Sequence, residues 1–169
     1  DLEATVTPEA TINIVLSGQQ GDVIEARGEG DLKIGIDQAS NLSMFGTFNI
    51  VDGNYLFSLQ NIISKKFKLD RGGKIIWTGK PEDAKLDISA VYTLRAAPYD
   101  LVEDMVNSSD NVQAAKNRVP VYLYLNMAGS LSAPDISFDI KIPDADPSIK
   151  TIVQSKLNQI KADQTELNK

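Results

Sequence analysis

Apolar and polar residues alternate with a period of two along most of this chain, and this alternation limits its fold more than any other feature. The clearest run has an apolar residue at every second position: Leu86, Ile88, Ala90, Tyr92 and Leu94. Similar runs cover residues 32–36, 119–127 and 136–142. Strands with one apolar and one polar face are typical of antiparallel sheets. Turn residues that recur every 8–12 positions argue against alternating strands and helices. The sequence therefore predicts an all-β fold with a long antiparallel sheet.

The end of the chain changes to a helical period. Asp146-Pro147 supplies a helix cap followed by proline at the first helical position. Apolar residues then follow with helical spacing up to Ile160. We predict a sheet domain over residues 1–145 and one amphipathic helix over residues 146–169. We expect this helix to dock on its own sheet.

Three segments interrupt the alternation. Residues 95–118 are polar and predict a long loop, a solvated excursion at the rim of the sheet, with a short helical turn between Leu101 and Val106. Asp52-Gly53 predicts a turn between two strands. Gly28-Glu29-Gly30 predicts a hairpin bend.

The composition removes most catalytic chemistry. The 169 residues contain no His and no Cys, so histidine-based triads, thiolate nucleophiles and Cys-ligated metals are absent. Asp139, Asp144 and Asp146 lack the spacing of a calcium loop. A net charge of −6 argues against nucleic acid as a partner. We predict a protein that is not an enzyme, with no catalytic residues, cofactor or metal.

We expect the sequence to be a piece of a longer protein. It begins at Asp1 rather than Met and stops at Lys169 inside a helical pattern. No segment reaches the roughly 18 consecutive apolar residues that span a bilayer. We expect any targeting or membrane segment to lie outside it.

The glycine and aromatic pattern between residues 53 and 92 resembles the C-terminal domain of the TamB family, the TamB subunit of the translocation and assembly module. The residues that carry the resemblance are Gly53–Phe57, Phe67–Leu69, Gly72–Gly73, the Trp77-Thr78-Gly79-Lys80-Pro81 run and the Leu86–Tyr92 strand. Downstream, Val121–Leu125, Gly129, Pro134, Phe138 and Pro143 also match. The resemblance covers roughly residues 28–169. It departs after the helix, where the family has further strands and this sequence stops.

The resemblance implies a fold, a location and partners. Such proteins of Gram-negative, diderm bacteria are anchored in the inner membrane and cross the periplasm. They work with an outer-membrane barrel of the TamA/BamA class in outer-membrane biogenesis. The implied fold is a long curled sheet around an open apolar groove, taco-like in section, similar to AsmA-like and bridge-like lipid-transfer proteins. The implied cargo is the acyl chains of phospholipids, unfolded outer-membrane proteins, or both.

The alternation itself fits either a curled sheet or a closed sandwich. For the curled sheet, the expected groove-lining residues are Ile34, Phe48, Phe57, Leu86, Ile88, Leu123, Leu125, Phe138 and Ile140. We hypothesise a lipid conduit, in which variants such as Ile88→Asp or Leu125→Arg would block passage without unfolding the protein. The alternative is a chaperone-like module that binds outer-membrane protein strands by β-augmentation, without lipid transport. An all-β carbohydrate hydrolase is a distant third.

Overall fold

The structure is a computed structural model that describes residues 1–16, 22–59 and 63–167. Strands make up more than half of the described residues, which confirms the all-β prediction. They are β1 (Leu2–Val6), β2 (Thr11–Val15), β3 (Val23–Ile36), β4 (Leu42–Leu59), β5 (Ile63–Leu69), β6 (Lys74–Gly79), β7 (Lys85–Ala96), β8 (Val119–Ser130) and β9 (Ala133–Lys141). The helices are α1 (Tyr99–Val102), α2 (Ser109–Ala115) and α3 (Pro147–Leu167).

The nine described strands form one sheet in the order β1-β3-β4-β5-β7-β8-β9. β1 and β2 both pair with β3, at its two ends, and β6 bridges β4 and β7. The recorded pairings are antiparallel, as the alternation predicts. β1, β2 and β9 therefore lie at the edges of this sheet.

β4 is one continuous strand of 18 residues, so the turn predicted at Asp52-Gly53 is wrong. A β-bulge takes its place. Arg27 pairs with Asp52 while Gly28 pairs with Ile50, which leaves Val51 as the extra residue. The bulge moves the buried side chains from even to odd positions, from Phe48 and Ile50 to Tyr55. Glycine is required just after this bulge, at Gly53. Its φ is +146°, and a Cβ there would lie 2.2 Å from the Glu25 carbonyl oxygen.

The hairpin bend predicted at Gly28-Glu29-Gly30 is also wrong, because these residues lie inside β3. The glycines serve packing rather than turning. A Cβ on Gly28 would lie 2.8 Å from the ring of Phe48 and 2.1 Å from the carbonyl oxygen of Asn49. The missing side chain makes room for the buried Phe48 ring on the adjacent strand.

The chain divides into two compact units by internal contacts. The first unit contains residues 1–92 and 125–138, and the second contains residues 93–124 and 139–169. In the first unit the interior is formed by fully buried residues of successive strands. They include Ile24, Phe48, Ile50, Tyr55, Phe67, Ile75, Ile88 and Leu125.

In the second unit the segment 95–118 is not a solvated excursion. It forms α1 and α2, and its residues Val102 and Ala115 are fully buried. They belong to a hydrophobic cluster with Ile149 and Val153 of α3. Strand residues such as Ile140 pack against the same cluster. The helix therefore docks on strand residues, as expected, and also on a segment that the sequence analysis treated as polar.

The cap predicted for α3 is present. Asp146 Oδ1 accepts hydrogen bonds from the hydroxyl of Ser148 at 2.6 Å and from its backbone N–H at 2.9 Å. These bonds lower the pKa of the Asp146 carboxyl, the side-chain bond having the larger effect. A charged Asp146 at the start of α3 also favours the positive end of the helix dipole.

Candidate functional site

The predicted groove-lining residues all lie on elements of the sheet, but they differ in burial. Phe48, Leu86, Ile88 and Leu125 are buried, whereas Ile34, Phe57, Leu123, Phe138 and Ile140 are half-buried. Leu123 and Ile140 belong to the second unit, where Ile140 packs against the cluster around α3. The other seven belong to the first unit. The role of these residues as a lining stays a prediction.

Five aromatic rings in the first unit form a contiguous group, which we call the aromatic cluster: Tyr55, Phe57, Phe67, Tyr92 and Phe138. The ring centroids of neighbouring members lie 5.7 to 6.4 Å apart. The contacts are tilted or edge to face, the arrangements that aromatic quadrupoles favour. Tyr55 and Phe67 are buried, and the other three rings are half-buried.

The aromatic cluster shows that the sheet is curled in the first unit. Phe57 lies on β4 and Phe138 on β9, and four strand steps separate these strands in the sheet. In a flat sheet that separation would be about 19 Å, at about 4.8 Å per step. The two ring centroids are 5.8 Å apart. The apolar faces of β4 and β9 must therefore face each other.

The apolar face of β3 continues beyond this interior to residues that are progressively more exposed. Leu32 is buried, Ile34 is half-buried and Ile36 is 69% exposed, although all three lie on one face of β3. Directly opposed residues in an antiparallel pair share a face. The opposed partners are apolar as well: Leu2 and Met44 face Ile34, and Leu42 faces Ile36. We call Leu2, Ile34, Ile36, Leu42 and Met44 the apolar rim.

A buried carboxylate stands at the opposite end of β3. Asp22 is fully buried and accepts hydrogen bonds from the Tyr55 hydroxyl and from the Ser58 backbone N–H. Burial raises the pKa of the Tyr55 hydroxyl well above its ordinary value, and the Asp22 carboxylate adds to the rise. The sequence alone does not predict this pair, because Asp22 and Tyr55 are far apart in the chain. They meet only because the register of β3 and β4 pairs Tyr55 with Ile24.

The described residues contain no group of His, Cys, Asp and Glu side chains that could hold a metal ion. Within the same residues, no helix combines the length and apolar character that crossing a bilayer requires. The described surface also carries exposed apolar side chains, among them Leu2, Ile36 and Leu42 of the apolar rim.

These features define a class of protein: an antiparallel sheet that curls around an apolar interior in the first unit, and a C-terminal helix that packs on a hydrophobic cluster in the second. The family model of the TamB C-terminal domain matches residues 1–166, so the chain belongs to the TamB C-terminal domain family. The match extends the resemblance to the amino-terminal strands, which carry little recognisable pattern. The comparison with curated proteins gave no match.

Membership sets the broad role of the chain. It has a TamB-like role in outer-membrane biogenesis, as a domain of a non-enzymatic transport or assembly module. Proteins of this family span the periplasm and are associated in general with the TamA partner.

Proposed function

We propose that this chain provides an apolar surface for the acyl chains of phospholipids moving between the two membranes. It would do so as the periplasmic segment of a protein anchored in the inner membrane and engaged with an outer-membrane barrel of the TamA/BamA class. The observation that carries the proposal is the apolar rim. The face that is buried at Leu32 continues outward to Ile36 and Leu42, which are 69% and 44% exposed.

The energetics of lipid transfer favour such a surface. Each CH₂ group removed from water contributes about 0.8 kcal/mol, so a chain of about 16 carbons needs about 13 kcal/mol of apolar compensation. An aqueous path supplies none of it. A strand face of Leu, Ile, Phe and Met supplies contact without directional bonds, so a chain can slide along it. Contiguous exposed apolar patches on soluble domains commonly mark a binding surface.

The structure changes which variants test this proposal. Ile88 and Leu125 are 2% and 0% exposed, so a charge at either position would unfold the protein rather than block lipid selectively. Ile36→Asp and Leu42→Asp place the charge on exposed positions of the apolar rim. Phe45→Asp is the matched control, because Phe45 is 47% exposed on the opposite face of β4.

The test is native mass spectrometry of the purified chain without detergent. We expect bound phospholipid on the wild-type protein and on Phe45→Asp, and at least a fivefold lower bound fraction on Ile36→Asp and Leu42→Asp. Far-UV circular dichroism checks that all four proteins are folded. Equal lipid content in folded rim variants and in the control would contradict the proposal.

The second candidate is the chaperone-like module, and the edge strands favour it. In the described sheet β9 and β1 each pair on one side only, which leaves backbone N–H and C=O groups for a client strand. Proline substitutions along β9 would then abolish crosslinking to unfolded outer-membrane proteins while lipid content stays unchanged. Client crosslinking that survives prolines in β1, β2 and β9 would contradict this candidate.

A further inference from the structure

Two of the four arginines in the chain are held side by side in the second unit. The Arg118 guanidinium donates a hydrogen bond to the Arg95 carbonyl oxygen at 2.9 Å. The Arg95 guanidinium donates in return to the Arg118 carbonyl oxygen at 3.2 Å. Arg95 lies near the end of β7, and Arg118 immediately precedes β8. The reciprocal bonds hold each guanidinium group against the backbone of the other arginine.

This pair lacks the compensation that the first unit gives to Arg27. Arg27 pairs across the sheet with Asp52, and their side chains form a salt bridge. Among the described residues, neither Arg95 nor Arg118 has a carboxylate within salt-bridge distance. Like charges on neighbouring strands destabilise a sheet. An anion between the two guanidinium groups would remove that cost.

A third cation lies close to Arg118 in the sequence. Lys116 lies two residues before Arg118, and its ammonium sits over the Tyr99 ring, 4.9 Å from the centroid. Arg95, Lys116 and Arg118 all belong to the second unit, in a chain whose net charge is −6. Paired guanidinium groups on an acidic chain suit an anionic ligand.

We infer that Arg95 and Arg118 form a clamp for the phosphate of an anionic phospholipid headgroup. Each guanidinium has five N–H donors, and one from each is used in the reciprocal bonds, so donors remain for phosphate oxygens. Planar guanidinium groups bind phosphate bidentately, which a lysine ammonium does not do. The inference rests on the proposed function for its choice of phospholipid as the source of phosphate, but it concerns the headgroup and not the acyl chain.

The test is co-sedimentation of the full chain with vesicles of phosphatidylglycerol and phosphatidylcholine, compared with vesicles of phosphatidylcholine alone. We expect binding to the anionic vesicles that falls at least fivefold in the Arg95→Gln/Arg118→Gln double variant. The charge-matched control is Arg71→Gln/Lys74→Gln, two exposed cations of the first unit, and it should stay within twofold of the wild type. Millimolar inorganic phosphate should compete with the vesicles.

Three outcomes would overturn the clamp. One is wild-type protein that does not bind the anionic vesicles. Another is an equal loss in the charge-matched control, which would indicate net charge alone. The last is full binding by Arg95→Lys/Arg118→Lys, which keeps the charge and removes the bidentate geometry. Vesicle binding by the arginine variants reports on the clamp, and bound lipid in Ile36→Asp reports on the acyl-chain surface, so failure of the clamp and failure of the proposed function are distinguishable.

Discussion

The ring of Phe138 on β9 meets the ring of Phe57 on β4 edge to face, with 5.8 Å between the centroids and an interplanar angle of 72°. Strands that are four steps apart in the sheet order are thereby brought face to face in the first unit. A sandwich would achieve such a contact with two sheets, whereas here one continuous sheet supplies both faces. The contact explains how a chain with uniform alternation can enclose an apolar interior.

The Phe57–Phe138 contact should be measurable as a coupling energy. In a double-mutant cycle with Phe57→Ala and Phe138→Ala, we expect a coupling of about 0.5–1.5 kcal/mol in the free energy of unfolding by urea. The control cycle combines Phe138→Ala with Phe45→Ala, whose ring lies on the opposite face of β4, and it should be additive within about 0.5 kcal/mol. A coupling of zero for the first cycle would show that the sheet does not close at these rings.

The Asp22–Tyr55 pair predicts alkaline sensitivity. The pKa of Tyr55 is higher in the folded protein than in the unfolded chain, mainly because the hydroxyl is buried. Its contribution to stability is therefore complete below about pH 10, the ordinary tyrosine pKa, and declines as the pH rises further. Absorbance at the tyrosinate band should show a fraction that titrates only when the protein unfolds, and Tyr55→Phe should remove that fraction.

Tyr55→Phe separates this effect from general alkaline unfolding. The variant leaves the buried Asp22 carboxylate without its hydroxyl donor, which costs about 1–3 kcal/mol of stability near neutral pH. Tyr122→Phe is the control, because Tyr122 is only half-buried and stacks on Tyr124. If both variants unfold at the same urea concentration, the buried hydrogen bond does not stabilise the fold.

Gly28→Ala should destabilise the first unit through crowding. The added Cβ would lie 2.1 Å from the Asn49 carbonyl oxygen, so β3 and β4 must separate locally. We expect a loss of about 1–3 kcal/mol, the usual cost of overpacking. In Gly35→Ala the nearest atoms belong to the side chains of Ser43 and Asp1, which can move aside, so a smaller loss is expected. Equal losses would mean that Gly28 has no packing role.

Docking of α3 should protect the backbone amides of α1 and α2 from hydrogen exchange. Ile149→Ala removes a fully buried side chain from their shared cluster and should cost about 2–5 kcal/mol. Hydrogen exchange should rise in residues 99–115 and stay unchanged in β3. Lys150→Ala, an exposed neighbour on the same helix, should change stability by less than about 0.5 kcal/mol. Unchanged exchange in residues 99–115 would show that α1 and α2 fold without α3.

Local features of the sequence predicted local features of the fold. The alternation from residue 86 to residue 94 became β7, and Asp146-Pro147 became the start of α3, because each depends on nearby residues alone. The turn expected at Asp52-Gly53 failed because a bulge depends on the strand opposite, where Arg27 and Gly28 shift register. A glycine that makes room for a neighbouring strand has the same sequence signature as one that makes a turn.

The candidate site was also predictable from the sequence only in part. Alternation identified the apolar face, including Ile34 and Phe57, because side-chain direction follows the strand period. It could not show that Ile36 is exposed while Phe48 is buried, because both lie on the same kind of face. The difference in exposure depends on which distant strands pack against each residue. The burial of Val102 and Ala115 likewise depends on α3, which lies far along the chain.

Photocrosslinking from the apolar rim tests the central claim most directly. A benzophenone side chain is placed at Ile36 in one protein and at Phe45, on the opposite face of β4, in another. Each purified protein is irradiated with phospholipid, and intact mass is measured. The account predicts a phospholipid adduct from position 36 in at least fivefold excess over position 45. Equal adducts from both positions, or none from position 36, would contradict an acyl-chain surface on this face.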